Sequence, residues 1–114
     1  MSEGNVVLDV ACGNGTLLRN LSQKAKILAN GIDISENMIR VTKMRYPNTN
    51  FEVKPCYPLE WSDESMDIIT ICCAFHHFDH PEEFLNECKR VLKKNGRMYI
   101  AEPNFGAVIR FLAN

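Results

Sequence analysis

Short apolar runs alternate along this chain with stretches whose apolar residues recur at helical spacing. The runs are NVVLDVA (5–11), AKILANGID (25–33), NFEV (50–53), DIITICCAF (67–75) and RMYIAE (97–102). Their apolar residues are consecutive rather than alternating, which fits parallel strands covered on both faces. Leu17, Leu18 and Leu21 mark a helix after the first run. After the second, SENMIRVTKMRY offers Ser35 as an N-cap, puts Met38, Ile39 and Thr42 on one face, and is closed by Pro47. HPEEFLNECKRVLKKNG (80–96) is the clearest helix in the chain. Pro81 suits its first turn, and Glu82 and Glu83 complement the positive end of the dipole. Phe84, Cys88, Val91 and Leu92 share a face, and Asn95-Gly96 supplies a stop. The tail FGAVIRFLAN reads as the start of one more helix.

Strand–helix–strand repetition predicts right-handed crossovers and an α/β fold, a doubly wound parallel sheet of about five strands with helices on both faces. The connection KPCYPLEWSDES (54–65) is the exception, with two prolines and no helical period. Loops of that length in compact domains are usually functional or mobile. A chain of 114 residues without a linker, repeat or low-complexity segment is read as one domain, 1–114.

Composition narrows the class without naming it. Hydrophobic residues make up 46% and charged residues 24%, close to the globular average. A net charge of −1 gives no electrostatic reason to expect nucleic acid or an anionic membrane as partner. The longest apolar run, IITICCAF, is far too short to span a bilayer, and MSEGN does not resemble the start of a signal peptide. Five cysteines without a CxxC pair, three of them in or beside apolar runs, indicate small buried hydrophobes in a reducing, cytoplasmic setting.

The chemistry concentrates in VLDVACGNGTLL, where Gly13 and Gly15 lie between a strand and a helix. Either the turn needs positive φ, or something approaches the main chain more closely than a Cβ allows. In an open α/β sheet, ligands bind at the carboxyl ends of the strands where the order reverses, and helix N-termini receive anions there. Asp33 ends the second run, near the spacing at which an acid reaches a ribose, and its two oxygens can accept from both hydroxyls of a vicinal diol. The alternative is that Asp33 helps cap the helix that begins at Ser35. A dinucleotide fingerprint is missing, since Leu18 stands where GxGxxG has its third glycine. Asp9, ending the first run, would repel a pyrophosphate and attract a cationic ammonium. The pattern favours a ribose-bearing ligand with a positive or zwitterionic group.

VLDVACGNG, GIDISENMI, SMDIITICCAFHHF and NECKRVLKKNGRMYIAEPN together resemble, in order and spacing, the class I S-adenosylmethionine-dependent methyltransferases, in particular their small-molecule subgroup. The resemblance runs from Val6 to about Asn104. It implies a Rossmann-like sheet of order 3-2-1-4-5 and S-adenosylmethionine as cofactor, with S-adenosylhomocysteine as product. It places the methionine end of the cofactor against Ala11, Cys12, Gly13, Asn14 and Gly15, with Asp9 near the ammonium. Asp33 would take the ribose hydroxyls, Ile34 and Met38 would cover the adenosine, and Cys56 and Tyr57 would lie near the adenine. Cys73 and Ala74 would sit beneath the cofactor.

Three departures from the family pattern stand out. The first loop glycine is Ala11, and Pro55 occupies the position where many members carry an aspartate for the adenine amine. The chain also looks abbreviated, lacking helical material before strand one and the family's last two strands. That would expose a sheet edge for a second copy or a covering partner. Metal binding is not expected, because Pro81 puts His80 at a helix start, off any face shared with His76, and no second ligand cluster exists. No catalytic residue is assigned. His76 or His77 is either a general base or a polar rim residue, and Trp61 and Tyr57 either line an acceptor pocket or simply pack. Methyl transfer asks little of side chains beyond holding a small-molecule acceptor in line and excluding water. The competing class is a non-catalytic cofactor-binding domain completed by a partner or by further segments.

Overall fold

The structure, a computed structural model, describes residues 4–72, 80–102 and 107–112. Its elements are β1 (Val6–Val10), α1 (Thr16–Lys24), β2 (Leu28–Asp33), α2 (Glu36–Arg45) and β3 (Asn50–Val53), then β4 (Met66–Cys72), α3 (Pro81–Val91), β5 (Leu92–Glu102) and β6 (Ala107–Leu112). The six strands form one sheet of order β3-β2-β1-β4-β5-β6. β1 to β5 run parallel in the expected 3-2-1-4-5 order, and β6 is antiparallel to β5. The order reverses between β1 and β4, so the β1–α1 loop lies at the switch point.

The consecutive apolar runs are explained by a core on each face. Val7 and Ile68 pack with Leu18 and Ile39, from α1 and α2, on one side of the sheet. Leu8, Val10, Ile69 and Ile71 pack with Phe84, Cys88 and Val91 of α3 on the other. Phe51 of β3 is 1% exposed and completes the first core.

Two expectations are corrected. The tail segment Ala107–Leu112 is a strand and not the start of a helix, so β5 is paired along Arg97–Glu102 rather than left as the sheet edge. Its run Val108-Ile109 and Phe111 has the β-branched and aromatic composition of strands. Helix α3 ends at Val91 instead of running to Asn95-Gly96, because Leu92 is extended at φ −72°, ψ 137°. The N–H groups of Glu64 and Ser65 donate to the carbonyls of Arg90 and Val91, so the incoming loop satisfies part of the last turn. Asn95 (φ 70°) and Gly96 instead form an irregularity in β5, where the register jumps from Met66–Leu92 to Ile68–Arg97.

Phe51 also explains two glycines. A Cβ on Gly15 would lie 3.0 Å from Phe51 Cζ, and one on Gly31 would lie 2.7 Å from Phe51 Cδ1. The ring occupies the space those missing side chains leave. Phe51→Ala is therefore expected to destabilise the fold by about 3–5 kcal/mol, measured by chemical denaturation, since nothing nearby can refill the void.

Candidate functional site

The β1–α1 loop turns through three left-handed residues, Ala11 (φ 57°), Gly13 (φ 56°) and Gly15 (φ 76°). The glycine question therefore has a separate answer for each position. Gly15 needs its positive φ and also room, because an added Cβ would come within 2.8 Å of Thr42 Cγ2. Gly13 is different, since the nearest atom to an added Cβ is Met38 Cε at 3.8 Å. The protein itself does not fill the space beside Gly13. Ala11 adopts the same left-handed conformation without being glycine, a strain of about 1–2 kcal/mol.

Asp33 fastens this loop to the end of β2. The Gly13 N–H donates to its Oδ2 at 3.0 Å, and the Ser35 N–H donates to its Oδ1 at 3.0 Å. Ser35 meanwhile caps α2, accepting from the Met38 N–H at 3.2 Å. Asp33 thus helps start α2 and also anchors the glycine loop, and each oxygen keeps capacity for a further donor. The loop is held on its other side by Thr42, whose hydroxyl donates to the Gly13 carbonyl at 3.1 Å. Cys12 is buried, and its N–H donates to the Ile32 carbonyl at 2.9 Å. Asn14 is exposed and accepts from both the N–H and the hydroxyl of Thr16 at the start of α1.

Asp9 lies in the sheet beneath the loop, 2% exposed, between Gly31 of β2 and Thr70 of β4. Its Oδ1 is 2.8 Å from the Thr70 hydroxyl. Burial pushes its pKa up to about 7, the Thr70 hydrogen bond opposes that shift, and the charge of Asp33 adds to it. A carboxyl in that condition is suited to a cationic neighbour, which would favour its charged form. Burial, with the charges of Asp9 and Asp33, also pushes the Cys12 thiol up to about 12, so it is an inert hydrophobe.

Ile34, next in sequence to Asp33, is 72% exposed and Tyr57 44%; Met38 is 38% exposed with its tip beside Gly13, so it lies at the loop and not on the core face it shares by sequence with Ile39 and Thr42. Cys56 is half-buried, and burial and the charge of Asp33 raise its pKa. The predicted residues from Asp9 to Gly15, Asp33 to Met38 and Cys56–Tyr57 thus gather at the carboxyl ends of β1, β2 and β3. Cys73 and Ala74, with His76 and His77, lie outside the described residues. His80 is the N-cap of α3, as Pro81 implied. Among the described residues no group of His, Cys, Asp or Glu could hold a metal. No helix among them is long and apolar enough to cross a membrane. Sequence reasoning missed Thr70 and the tie from Thr42 to the loop. A threonine inside the apolar run of β4 is the signal for the first; for the second the sequence carries none.

A doubly wound sheet with a glycine loop at its switch point and an acid ending β2 is the arrangement in which open α/β folds receive ligands at the carboxyl ends of their strands. Residues 8–100 match the family described as methyltransferase domain, and the chain belongs to that family. It is 38% identical over 97 residues to the demethylmenaquinone methyltransferase of Thermotoga maritima, covering 84% of this chain and 42% of that one. The fold is similar to a chain in the complex of the Haloferax volcanii Trm112 methyltransferase activator with a methyltransferase, at TM-score 0.83 and 29% identity over 88% of this chain and 46% of that one. It is also similar to the plantazolicin methyltransferase BpumL, solved with a pentazolic desmethyl analogue and S-adenosylhomocysteine, at TM-score 0.79 and 27% identity over 84% of this chain and 38% of that one. The chain spans less than half the length of these relatives.

Two outcomes are expected from this geometry. Gly15→Ala should destabilise the protein by about 1–3 kcal/mol in denaturant titration, from the left-handed φ and the Thr42 and Phe51 contacts together. The folded pKa of Asp9 is raised, so it contributes stability below the ordinary carboxylate range that is lost as pH rises through about 7. Asp9→Asn should therefore gain stability relative to the native chain between pH 5 and pH 8. Parallel unfolding curves of the two proteins at both pH values would contradict the burial of this acid.

Proposed function

We propose that this chain is the cofactor-binding part of a methyltransferase that carries a methyl group from S-adenosylmethionine to a small-molecule acceptor. The observation that supports it most is Asp33, a carboxylate with acceptor capacity to spare, fastened to a glycine loop that leaves the space beside Gly13 unfilled. Asp33 would take the ribose hydroxyls. The loop from Ala11 to Gly15 would hold the amino-acid end, with Asp9 beneath it favouring the ammonium. Ile34 and Met38 would cover the adenosine, and Cys56 and Tyr57 would border the adenine. Cys73 and Ala74 would complete the floor.

When bound, S-adenosylmethionine supplies a methyl group on a sulfonium with a good leaving group. The residues of this chain are then required to bind, orient and exclude water, and no side chain need form a bond to the methyl group. The Thermotoga maritima relative is named for a small molecule, demethylmenaquinone, which supports an acceptor of that class. Pro55 offers no side-chain acceptor to an adenine amine, so the base would be held by backbone groups and packing.

Calorimetric titration tests the reading. The chain should bind S-adenosylmethionine and S-adenosylhomocysteine at micromolar concentration and not bind NAD. Asp33→Ala should abolish the heat, and Gly13→Ala should weaken it while leaving a folded protein. A folded sample that takes up neither adenosyl ligand, or one that prefers NAD, would overturn the assignment. Binding without methyl transfer to any acceptor would favour the non-catalytic class.

A further inference from the structure

The β3–β4 connection is stitched to α3 by one guanidinium. Arg90 NH1 donates to the Trp61 carbonyl at 2.9 Å and to Asp63 Oδ1 at 2.7 Å. Its NH2 donates to the Leu59 carbonyl at 2.9 Å and to Glu87 Oε1 at 3.2 Å, and its Nε donates to Glu87 Oε2 at 2.8 Å. Every N–H of the fork has an acceptor. Glu87 closes the circuit, since its Oε1 also accepts from the Leu59 N–H at 3.0 Å. Leu59 is 4% exposed and enters the α3-side core, with Cys56 and Trp61 packed against it. Lys54 holds the beginning of the segment, paired with Glu52 and Glu60 and 5.6 Å from the centre of the Trp61 ring.

This much bonding is out of proportion to a mere connector. Surface ion pairs contribute little to stability on their own, but a planar fork shared between two carboxylates and the backbone carbonyls of Leu59 and Trp61 specifies a conformation. The residues it fixes follow two positions after the half-exposed Tyr57, in a connection whose start is tied to Asp33, the Lys54 N–H donating to the Asp33 carbonyl at 3.1 Å.

We propose that Arg90 is a positioning residue for cofactor binding, acting through residues 59–63 to hold Cys56 and Tyr57 beside Asp33. The inference rests on the reading of the site given under Proposed function. Arg90 touches no cofactor itself. It removes the ordering cost that a slack loop would impose when the adenine enters.

The test compares S-adenosylhomocysteine affinity in the native chain, Arg90→Lys, Glu87→Gln and Leu85→Ala, all at a temperature where each is folded. Arg90→Lys keeps the charge and loses the fork, and should weaken binding about tenfold. Glu87→Gln retains an acceptor for the Leu59 N–H and should lose less. Leu85→Ala loosens the packing of α3 without touching the fork, so it should lower the melting temperature and leave affinity unchanged. Two readouts need no ligand. Hydrogen exchange at the Leu59 amide should accelerate in Arg90→Lys, and emission of the single tryptophan, Trp61, should shift to the red. Unchanged affinity in Arg90→Lys, beside a native chain that binds, would overturn the role of Arg90 alone. Affinity that falls in Leu85→Ala as much as in Arg90→Lys would reduce that role to stability. A folded native chain that binds no S-adenosylhomocysteine would overturn the site reading and this inference together.

Discussion

Everything at the ligand end of this sheet depends on the carboxylate of Asp33. It is the point where the first strand's loop and the second strand's helix meet, taking one N–H from Gly13 and one from Ser35. Without it, a loop that passes through three left-handed residues would lose its tie to the start of α2 and be left with Thr42, the Cys12 N–H and its own internal bonds. With it, the loop and the start of α2 become one rigid cradle whose open side faces the rim of Ile34 and Met38. The same carboxylate that builds the cradle retains the acceptor capacity a ribose requires.

Burial and charge are arranged around that point in a consistent way. Asp9 is cut off from water, and the charge of Asp33 adds to the cost of ionising it. Two acids near one loop disfavour an anionic ligand and favour a cationic group. Thr70 partly offsets the penalty from the neighbouring strand. On the far side, the fork of Arg90 turns a connection without helix or strand into a fixed wall. The long β3–β4 loop, whose length predicts a functional or mobile segment, is among the most heavily bonded surface segments described.

Much of this was legible in the sequence, and what was not has physical reasons. Strand and helix placement followed from consecutive apolar runs and caps, because two-sided burial leaves that pattern, whereas the strand order came from the family resemblance. The glycine loop was legible because few residues tolerate its backbone positions, and Asp33 because an acid closes the second apolar run at the spacing that reaches a ribose. The end of α3 was not, since Leu92 has helical spacing from Phe84 and Cys88 but is pulled into β5 by partners distant in sequence. The tail was misread because six residues carry no period that separates a strand from a helix start, and pairing with β5 decided it. The separate reasons for Gly13 and Gly15 were invisible for the same cause, as Phe51 and Thr42 approach only in three dimensions. The network around Arg90 was not legible beyond the local Glu87 pair, because its other acceptors are two backbone carbonyls and Asp63, all distant in sequence.

The most direct test of the central claim is a crystal structure of the chain with S-adenosylhomocysteine bound. The account predicts the ribose hydroxyls within hydrogen-bond distance of Asp33, with the Gly13 and Ser35 N–H bonds to that carboxylate still in place. It also predicts the amino-acid end against Ala11 to Gly15. A ligand seated elsewhere, or one whose ribose faces away from Asp33, would contradict it.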